Sequence, residues 1–581
     1  MLSMATEPQT YRFGEFTLAA AEHRLLRDSA EVVLRPKAFD TLLYLVRRHG
    51  HTVAKDELLD AVWPGTFVSD AVLTHCIAEV RQALGDDIRA PRFLKTFSKV
   101  GYAFIADVGC GEDGPGGAGP FLGARPELSP ANTIAVLPFT NLNRDEANEI
   151  FSDGLTEELI NALSRVEGLR VVARTSTFRF KGKTADARAI GAHLGVRAIL
   201  EGSVRRADDR LRITAQLINA ADGYHLWSQH YDRQMGDVFG LQDEIARSIV
   251  EALRIRLAAD SVTHRHGTDL DTYTLYLEGR HHWNKRTPSG FLKAVECFER
   301  ALARDARLAA AWAGLADCHL WMGHFAGMPA EDVARKARSA ARRALEIDST
   351  LAEAHASLGF IAAAYEYDWP GAEALFRRAI ESNPSYANAH VMYAALVLGP
   401  TGRVDEARIH QQRAWELDPL SAVVAGAVAT LSVMTRRYDD AISTCRRALE
   451  LDPAYPWAYR ILGEAHLLKG QYDEAEDALS RTDAPPLVGG LLGYCHARTG
   501  REPQARRVLL RLEEMNNPML AYQIALVHLG LGDGDLALHW LQIARDAHSM
   551  GVYWLKIEPI WDPLRPDRRF IQLLQQLRLV P

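Results

Sequence analysis

The chain has 581 residues and a net charge of -7, too long for one core and too acidic for whole-chain attraction to nucleic acid or anionic membrane. With 48% hydrophobic and 24% charged residues it has a globular composition, which excludes a largely disordered, collagen-like or disulfide-scaffold chain. No apolar run approaches the ~20 residues of a membrane helix, and Met1 to Thr10 lacks the basic-then-apolar order of a secretory leader. Six dispersed cysteines without a C-x-x-C pair fit reduced thiols, so a cytoplasmic protein is expected. Gly109 to Pro130 (GCGEDGPGGAGPFLGARPELSP) is rich in Gly and Pro and reads as a tether, and a softer break falls near 259–269. The expected layout is 1–108, a linker over 109–130, then 131–258 and 270–581.

Residues 1–108 open with short alternating segments, Tyr11–Leu18, His23–Arg27 and Glu31–Leu34, which predict a small antiparallel sheet. Three helices follow: Pro36–Arg48, Lys55–Val62, and one capped by Ser69 or Asp70 that runs to Leu84. Phe93–Thr96 and Tyr102–Ile105 flank Phe97–Gly101 as a hairpin, completing an α+β winged helix-turn-helix. On the third helix Leu73, Ile77, Val80 and Leu84 form an inward stripe. The opposite side presents Ala71, His75, Ala78 and Gln82, flanked by Thr74, Arg81 and Glu79, the last read as a solvated charge. Thr74, Arg81 and Gln82 carry donors and acceptors of the kind that reach base edges. Arg89, Arg92, Lys95 and Lys99 then lead through the wing without an acid after Asp87, and Lys99 at the tip suits a phosphate or a minor groove.

The runs Leu34-Arg35-Pro36-Lys37, Phe39-Asp40, Leu58-Leu59, Val62-Trp63, Val68-Ser69-Asp70, Val80-Arg81, Ala83-Leu84 and Lys95-Thr96 through Gly101-Tyr102 resemble the OmpR/PhoB-type DNA-binding domain. The layout is close to CadC/ToxR-like regulators, with the Gly/Pro tether where those have a membrane helix. The resemblance implies double-stranded promoter DNA as a partner, with Trp63 making a backbone contact. The expected DNA-binding set is Trp63, Thr74, His75, Ala78, Arg81, Gln82, Arg92, Lys95, Thr96 and Lys99. It also implies contact with RNA polymerase, and a homodimer on adjacent half-sites would add affinity through effective concentration.

Residues 131–258 read as α/β. Thr133–Phe139 is a buried-strand run, and Asp153 caps a helix Leu155–Leu163 whose Glu157 and Glu158 favour its positive end. Strands over Leu169–Ala173 and Ala198–Val204 are separated by a helix over Ala187–Leu194. Leu211–Asn219 pairs with Leu226–Tyr231, and Val238–Leu257 closes the region as an amphipathic helix. IAVLPF, FSDGLTEELINALS, EGSVRR and WSQHYDR resemble the TolB-like N-terminal domain of bacterial regulators. In that family the domain and a repeat tail also follow nucleotide-cyclase domains, which implies a sensor or docking module and no particular ligand.

The last block repeats. Ala372, Phe376, Ala379 and Pro384 recur as Ala407, Gln411, Ala414 and Pro419, then as Ala441, Cys445, Ala448 and Pro453. The period of about 34 residues and the Leu358-Gly359, Leu462-Gly463 and Leu492-Gly493 pairs resemble the tetratricopeptide family in about eight units, an all-α superhelix. Such a stack offers a concave groove for a protein or peptide partner. Trp561, Pro563, Leu564, Phe570, Leu573, Leu574 and Leu577 predict an amphipathic cap on its open end. His281-His282, His264/His266 and Cys318-His319 with His324 lack a second ligand pair at metal-site spacing, and 109–119 lacks the Lys-Ser/Thr of a phosphate loop. With no catalytic motif either, no metal, cofactor or enzymatic activity is expected. The expectation is a bacterial DNA-binding transcription regulator whose remaining domains sense or dock a partner. The alternative is a tetratricopeptide scaffold without specific DNA binding.

Overall fold

In the computed structural model the chain divides into two compact units, Met1–Gly119 and Pro120–Pro581. The structure describes residues 10–110 and 132–580 apart from 15, 20–23, 28–29, 33, 50–51, 63–69, 88–90, 98–100, 107–108, 144, 167, 184, 208–209, 235–237, 254–268, 286, 327–329, 483–484 and 550.

In the first unit β1 (Thr10–Phe13), β2 (Phe16–Ala19), β3 (Arg24–Arg27) and β4 (Ala30–Val32) form an antiparallel meander. The single segment expected over Tyr11–Leu18 is two strands, because Gly14 at φ +52° reverses the chain and Phe13 pairs with Phe16. Then come α1 (Pro36–Arg47), β5 (Thr52–Ala54), α2 (Lys55–Val62), α3 (Asp70–Leu84), β6 (Leu94–Phe97) and β7 (Gly101–Phe104). A final short strand, β8 (Gly109–Cys110), pairs with β1 and so places the first two residues of the expected linker in the sheet. Pro36 starts α1, where its missing N–H costs nothing. The wing is three-stranded, β5–β7–β6, and β5 is too short to show a sequence alternation. Gly101 permits that third strand, since a Cβ there would lie 1.9 Å from the Val53 carbonyl oxygen. The core joins both sheets through the rings of Phe13, Phe16, Phe93 and Phe104, with centroids 4.9 to 6.2 Å apart.

The second unit begins with a sheet ordered β11–β9–β12–β13–β14, with β10 beside β12. Its elements are β9 (Thr133–Val136), β10 (Thr140–Asn141), α4 (Glu146–Ser164), β11 (Arg170–Val171), α5 (Arg174–Thr177), α6 (Ala187–Leu194), β12 (Ala198–Ala207), β13 (Arg210–Asn219), β14 (His225–Gln234) and α7 (Val238–Ala252). The run Thr133–Phe139 stops early as a strand because Pro138 has no N–H for a ladder. The helix expected from Leu155 starts nine residues earlier, capped by Asp145, which accepts the Asn148 N–H at 2.9 Å. Asp153 is therefore inside α4, and every residue from Phe151 to Ile160 is buried. Glu157 and Glu158 do not face a helix N-terminus. Glu157 pairs with Arg174 at 3.0 Å and with Arg280, Glu158 accepts from the Tyr276 hydroxyl, and Asp153 holds Lys181 Nζ at 2.6 Å. α7 is described to Ala252, and the end expected for it at Leu257 and residues 259–268 of the expected break lie outside the described residues.

Among the described residues eight helix pairs follow, starting with α8 (Leu270–Asn284) and α9 (Pro288–Arg304), then α10 (Ala309–Ala326) and α11 (Ala330–Ile347), and ending at Asp546. The repeat ruler residues Ala372, Phe376, Ala379, Ala407, Gln411, Ala414, Ala441, Cys445 and Ala448 are all buried. In Gly463 the small residue lets two helices touch, because a Cβ there would sit 2.4 Å from Leu479. The α/β region and the repeats pack as one body. Residues of α4 and of α8 to α11 share a single apolar core, and Gly154 faces Leu277.

The two helices of a pair differ in burial. The second helix Tyr438–Leu451 buries one stripe, whereas the first helices Ala352–Ala364 and Ala521–Leu531 are buried on nearly every side. An open groove would leave the first helices one wet face. The chain's own tail covers it instead. Residues 552–577 run back to earlier repeats: Trp554 lies against Gly399, Lys556 Nζ donates to Thr401 O at 2.8 Å, and Asp562 pairs with Arg436. Trp369 Nε1 donates to Leu577 O at 2.9 Å. Glu558, Tyr522 and Trp561 hydrogen-bond one another in the interior, near Arg460 and Glu464. The tail thus covers the last helix pair as the expected cap does, with Arg569 on Asp535 at 2.6 Å and Leu564 facing Gly534, and in addition it reaches back over first helices of earlier units. At other turns of the stack the segment 170–179 docks. Ala173 N–H donates to Leu417 O at 2.7 Å, Ser176 Oγ to Asp418 at 2.6 Å, and Arg179 to Leu420 O and Leu451 O. No helix among the described residues is long and apolar enough to cross a membrane.

Candidate nucleic-acid interface

On α3 the inward stripe Leu73, Ile77, Val80 and Leu84 is buried, together with Cys76, whose thiol burial pushes up. Thr74, Ala78 and Gln82, four residues apart on one line of the helix, are exposed. Trp63, Arg89 and Lys99 lie outside the described residues, as do the side chains of Ala71 and His75. Arg81 turns away from that line. Its Nη2 donates to Leu94 O at 3.0 Å and to Thr96 Oγ1 at 2.8 Å, which ties the helix to β6. Lys95, Thr96 and Arg92 are exposed along the wing, with Lys95 Nζ 5.3 Å from the Phe97 ring centroid and the Arg92 guanidinium 5.0 Å from that of Phe93.

Three positioning groups escape the sequence reading. Asp86, buried just after the helix-ending Gly85, accepts three backbone N–H groups at the root of the wing: Arg92 at 2.6 Å, Phe93 at 3.1 Å and Leu94 at 2.9 Å. Its signal is the Gly-Asp step between a helix and a strand, where an Asp side chain takes up backbone donors. Glu79 is not a solvated charge. It accepts the Arg35 N–H at 2.9 Å and pairs with the guanidinium at 2.6 Å, fixing the start of α1 to the middle of α3. Lys37 Nζ donates to Val62 O at 2.6 Å at the end of α2, where a cation complements the helix dipole. Among the described side chains the result is a face of one hydroxyl, one methyl and one amide, with a cationic wing strand fixed beside it by Arg81 and Asp86. Among the described residues no three His, Cys, Asp or Glu side chains gather as metal ligands.

Residues 29–104 match the family "Transcriptional regulatory protein, C terminal". The first unit carries a transcription-regulator DNA-binding domain. Residues 130–248 match "HilA/YgeH-like transcriptional regulator, second domain", and 359–422 and 433–485 match the tetratricopeptide repeat. The chain is 25% identical over 535 residues to "Transcriptional regulator HilA" of Salmonella typhimurium, covering 89% of this chain and 91% of that one. It is 39% identical over 238 residues to "Putative adenylate cyclase 3" of Rhizobium meliloti, covering 40% of each, so it spans two fifths of that protein. The solved DNA-binding domain of E. coli CadC is 29% identical, covering 18% of this chain and 99% of that chain, with a TM-score of 0.17. The order of the matches is that of a transcription regulator with a protein-interaction repeat region.

Proposed function

We propose that this chain regulates bacterial promoters by laying α3 in the major groove and the wing on the adjacent backbone. The observation that carries the reading is the Thr74–Ala78–Gln82 line beside a wing held by Arg81 and Asp86. In this reading Thr74 and Gln82, with His75, meet base edges, and Ala78 allows close approach. Lys95, Arg92, Thr96, Lys99 and Trp63 contact phosphate, and Arg81 positions the wing. The chain acts in the cytoplasm and without enzymatic chemistry. The α/β region, kin to TolB-like domains by its motifs, and the repeats receive a protein input that alters DNA occupancy. RNA polymerase is the downstream contact, and a homodimer supplies affinity that one small face lacks.

The test is selection of fragmented genomic DNA from the host on full-length protein at near-physiological salt, beside a Gln82→Ala, Lys95→Glu variant. Enrichment of a few intergenic fragments by the wild type, lost in the variant, supports the reading. Absence of enrichment with wild-type protein overturns it and leaves the tetratricopeptide scaffold.

A further inference from the structure

With the tail lying over first helices of the third to sixth units, the outer faces of the second helices remain open to a protein partner. The second helix Tyr438–Leu451 holds two cations, Arg446 and Arg447, between its terminal acids Asp439, Asp440 and Glu450. Helix α11 likewise keeps its acids, Glu331, Asp332 and Glu346, at its ends but holds more cations between them. From Val333 to Leu345 it holds five cations and no acid, while Val333, Ala334, Ala337, Ala340, Ala341 and Ala344 supply the buried stripe. The cations therefore crowd the opposite side. Arg335, Arg338, Arg342 and Arg343 line a cavity of about 560 Å³ together with Trp312 from α10. The Trp312 Nε1–H is already given to Ala306 O at 3.0 Å, which fixes the indole.

One acid, Glu346, lines this basin, and Asp332 and Glu366 lie beside it. Asp332 pairs with Arg335 at 2.8 Å, Glu346 with Arg343 at 2.7 Å and Glu366 with Arg338 at 2.5 Å, all as exposed or half-exposed pairs. Among the described residues Arg342 forms no ion pair. Exposed surface pairs of this kind hold their partners only weakly, so incoming carboxylates can replace them. Arg338 and Arg342 stand four residues apart, about 6 Å along the helix. Alternate carboxylates of an extended peptide repeat at roughly 7 Å, and guanidinium forks bind them in pairs.

We propose that the outer face of α11, over Trp312, docks an acidic protein segment that places an apolar side chain on the indole. The proposal rests on reading the repeat region as a protein-docking module. A peptide follows from the cavity: a stiff duplex would bridge the arginine rim and leave the indole uncovered, whereas a peptide side chain fills it.

Anisotropy of three fluorescein-labelled dodecapeptides with full-length protein tests this: one of Asp and Glu around a central Leu, one with Lys in place of the acids, one with Ser. The acidic peptide alone should bind. Arg335→Glu, Arg342→Glu, Arg343→Glu should cut its affinity at least tenfold while the melting profile stays put, since all three side chains are exposed. Equal binding by the variant overturns the proposal, as does wild-type preference for the Lys or Ser peptide, which leaves the docking module but moves its face. Failure of all three peptides overturns both readings. A random-sequence duplex whose affinity drops in the triple variant assigns the face to phosphate and overturns the peptide reading.

Discussion

Helices α3 and α4 both carry charges along their length and treat them in opposite ways. α3 has one covered stripe, so Glu79 and Arg81 leave sideways for Arg35 and the wing, and Thr74, Ala78 and Gln82 stay in water. α4 is covered from Phe151 to Ile160 by its sheet, by α7 and by α8, so Asp153 and Glu157 need Lys181, Arg174 and Arg280 to be tolerated at all. A charged residue on a helix marks a surface only where one side of that helix stays uncovered. In the first unit charges position a binding face, and in the second they hold an interior together.

The comparison breaks most visibly at Glu157. Glu157→Ala leaves Arg174 and Arg280 buried and facing each other, and should cost the second unit about 3–5 kcal/mol in denaturant unfolding while DNA binding by intact protein is retained. The tail joint offers a pH test. Burial beside Glu464 pushes the Glu558 carboxyl up to about 8. The folded state then keeps a proton that the unfolded chain releases, so stability falls as pH rises from the ordinary carboxylate range through about 8. Calorimetry should show the second unit's Tm dropping over that window, and Glu558→Gln should flatten the drop. Asp86→Ala in the first unit strips three N–H groups of their acceptor and should cost about 2 kcal/mol, with DNA affinity down about tenfold as the wing root loosens. Smallest is Glu79→Ala, the counterpart of the Glu157 change. With the Arg35 side chain 66% exposed, the loss should stay near 1 kcal/mol in the same unfolding assay. If the two helices respond alike, the contrast drawn between them fails.

Periodicity made the parts with one buried face legible. The α3 stripe, the start of α1 at Pro36, the Ala372–Phe376–Ala379 ruler and the eight pairs all follow from which positions recur. It was silent wherever a second face is covered by something distant. Glu157 and Glu158 look like first-turn acids because Asn148 and Glu149 interrupt the apolar pattern of the true first turn. The strand expected over Leu169–Ala173 forms at Arg170–Val171, but the residues that follow it, 173–179, find partners at Leu417, Asp418, Leu420 and Leu451, some two hundred and fifty residues on. Of the interface residues, the exposed line on α3 could be read from helical geometry. The duty of Arg81 to the wing could not, because it depends on how β6 passes the helix.

A tail threaded through its own repeats also sets the order in which the molecule can be made. An open solenoid leaves the ribosome one unit at a time, each new pair resting on the last. Here the inner side of the third to sixth units waits for Trp554, Glu558 and Trp561, so it stays unsealed until residues 552–577 have emerged. The first unit, complete by residue 110, has no such delay. During synthesis, therefore, the DNA-binding unit should be native while the inner side of the third to sixth units is still open, and a chain cut short before Trp554 should be cleared rather than act as a shortened regulator.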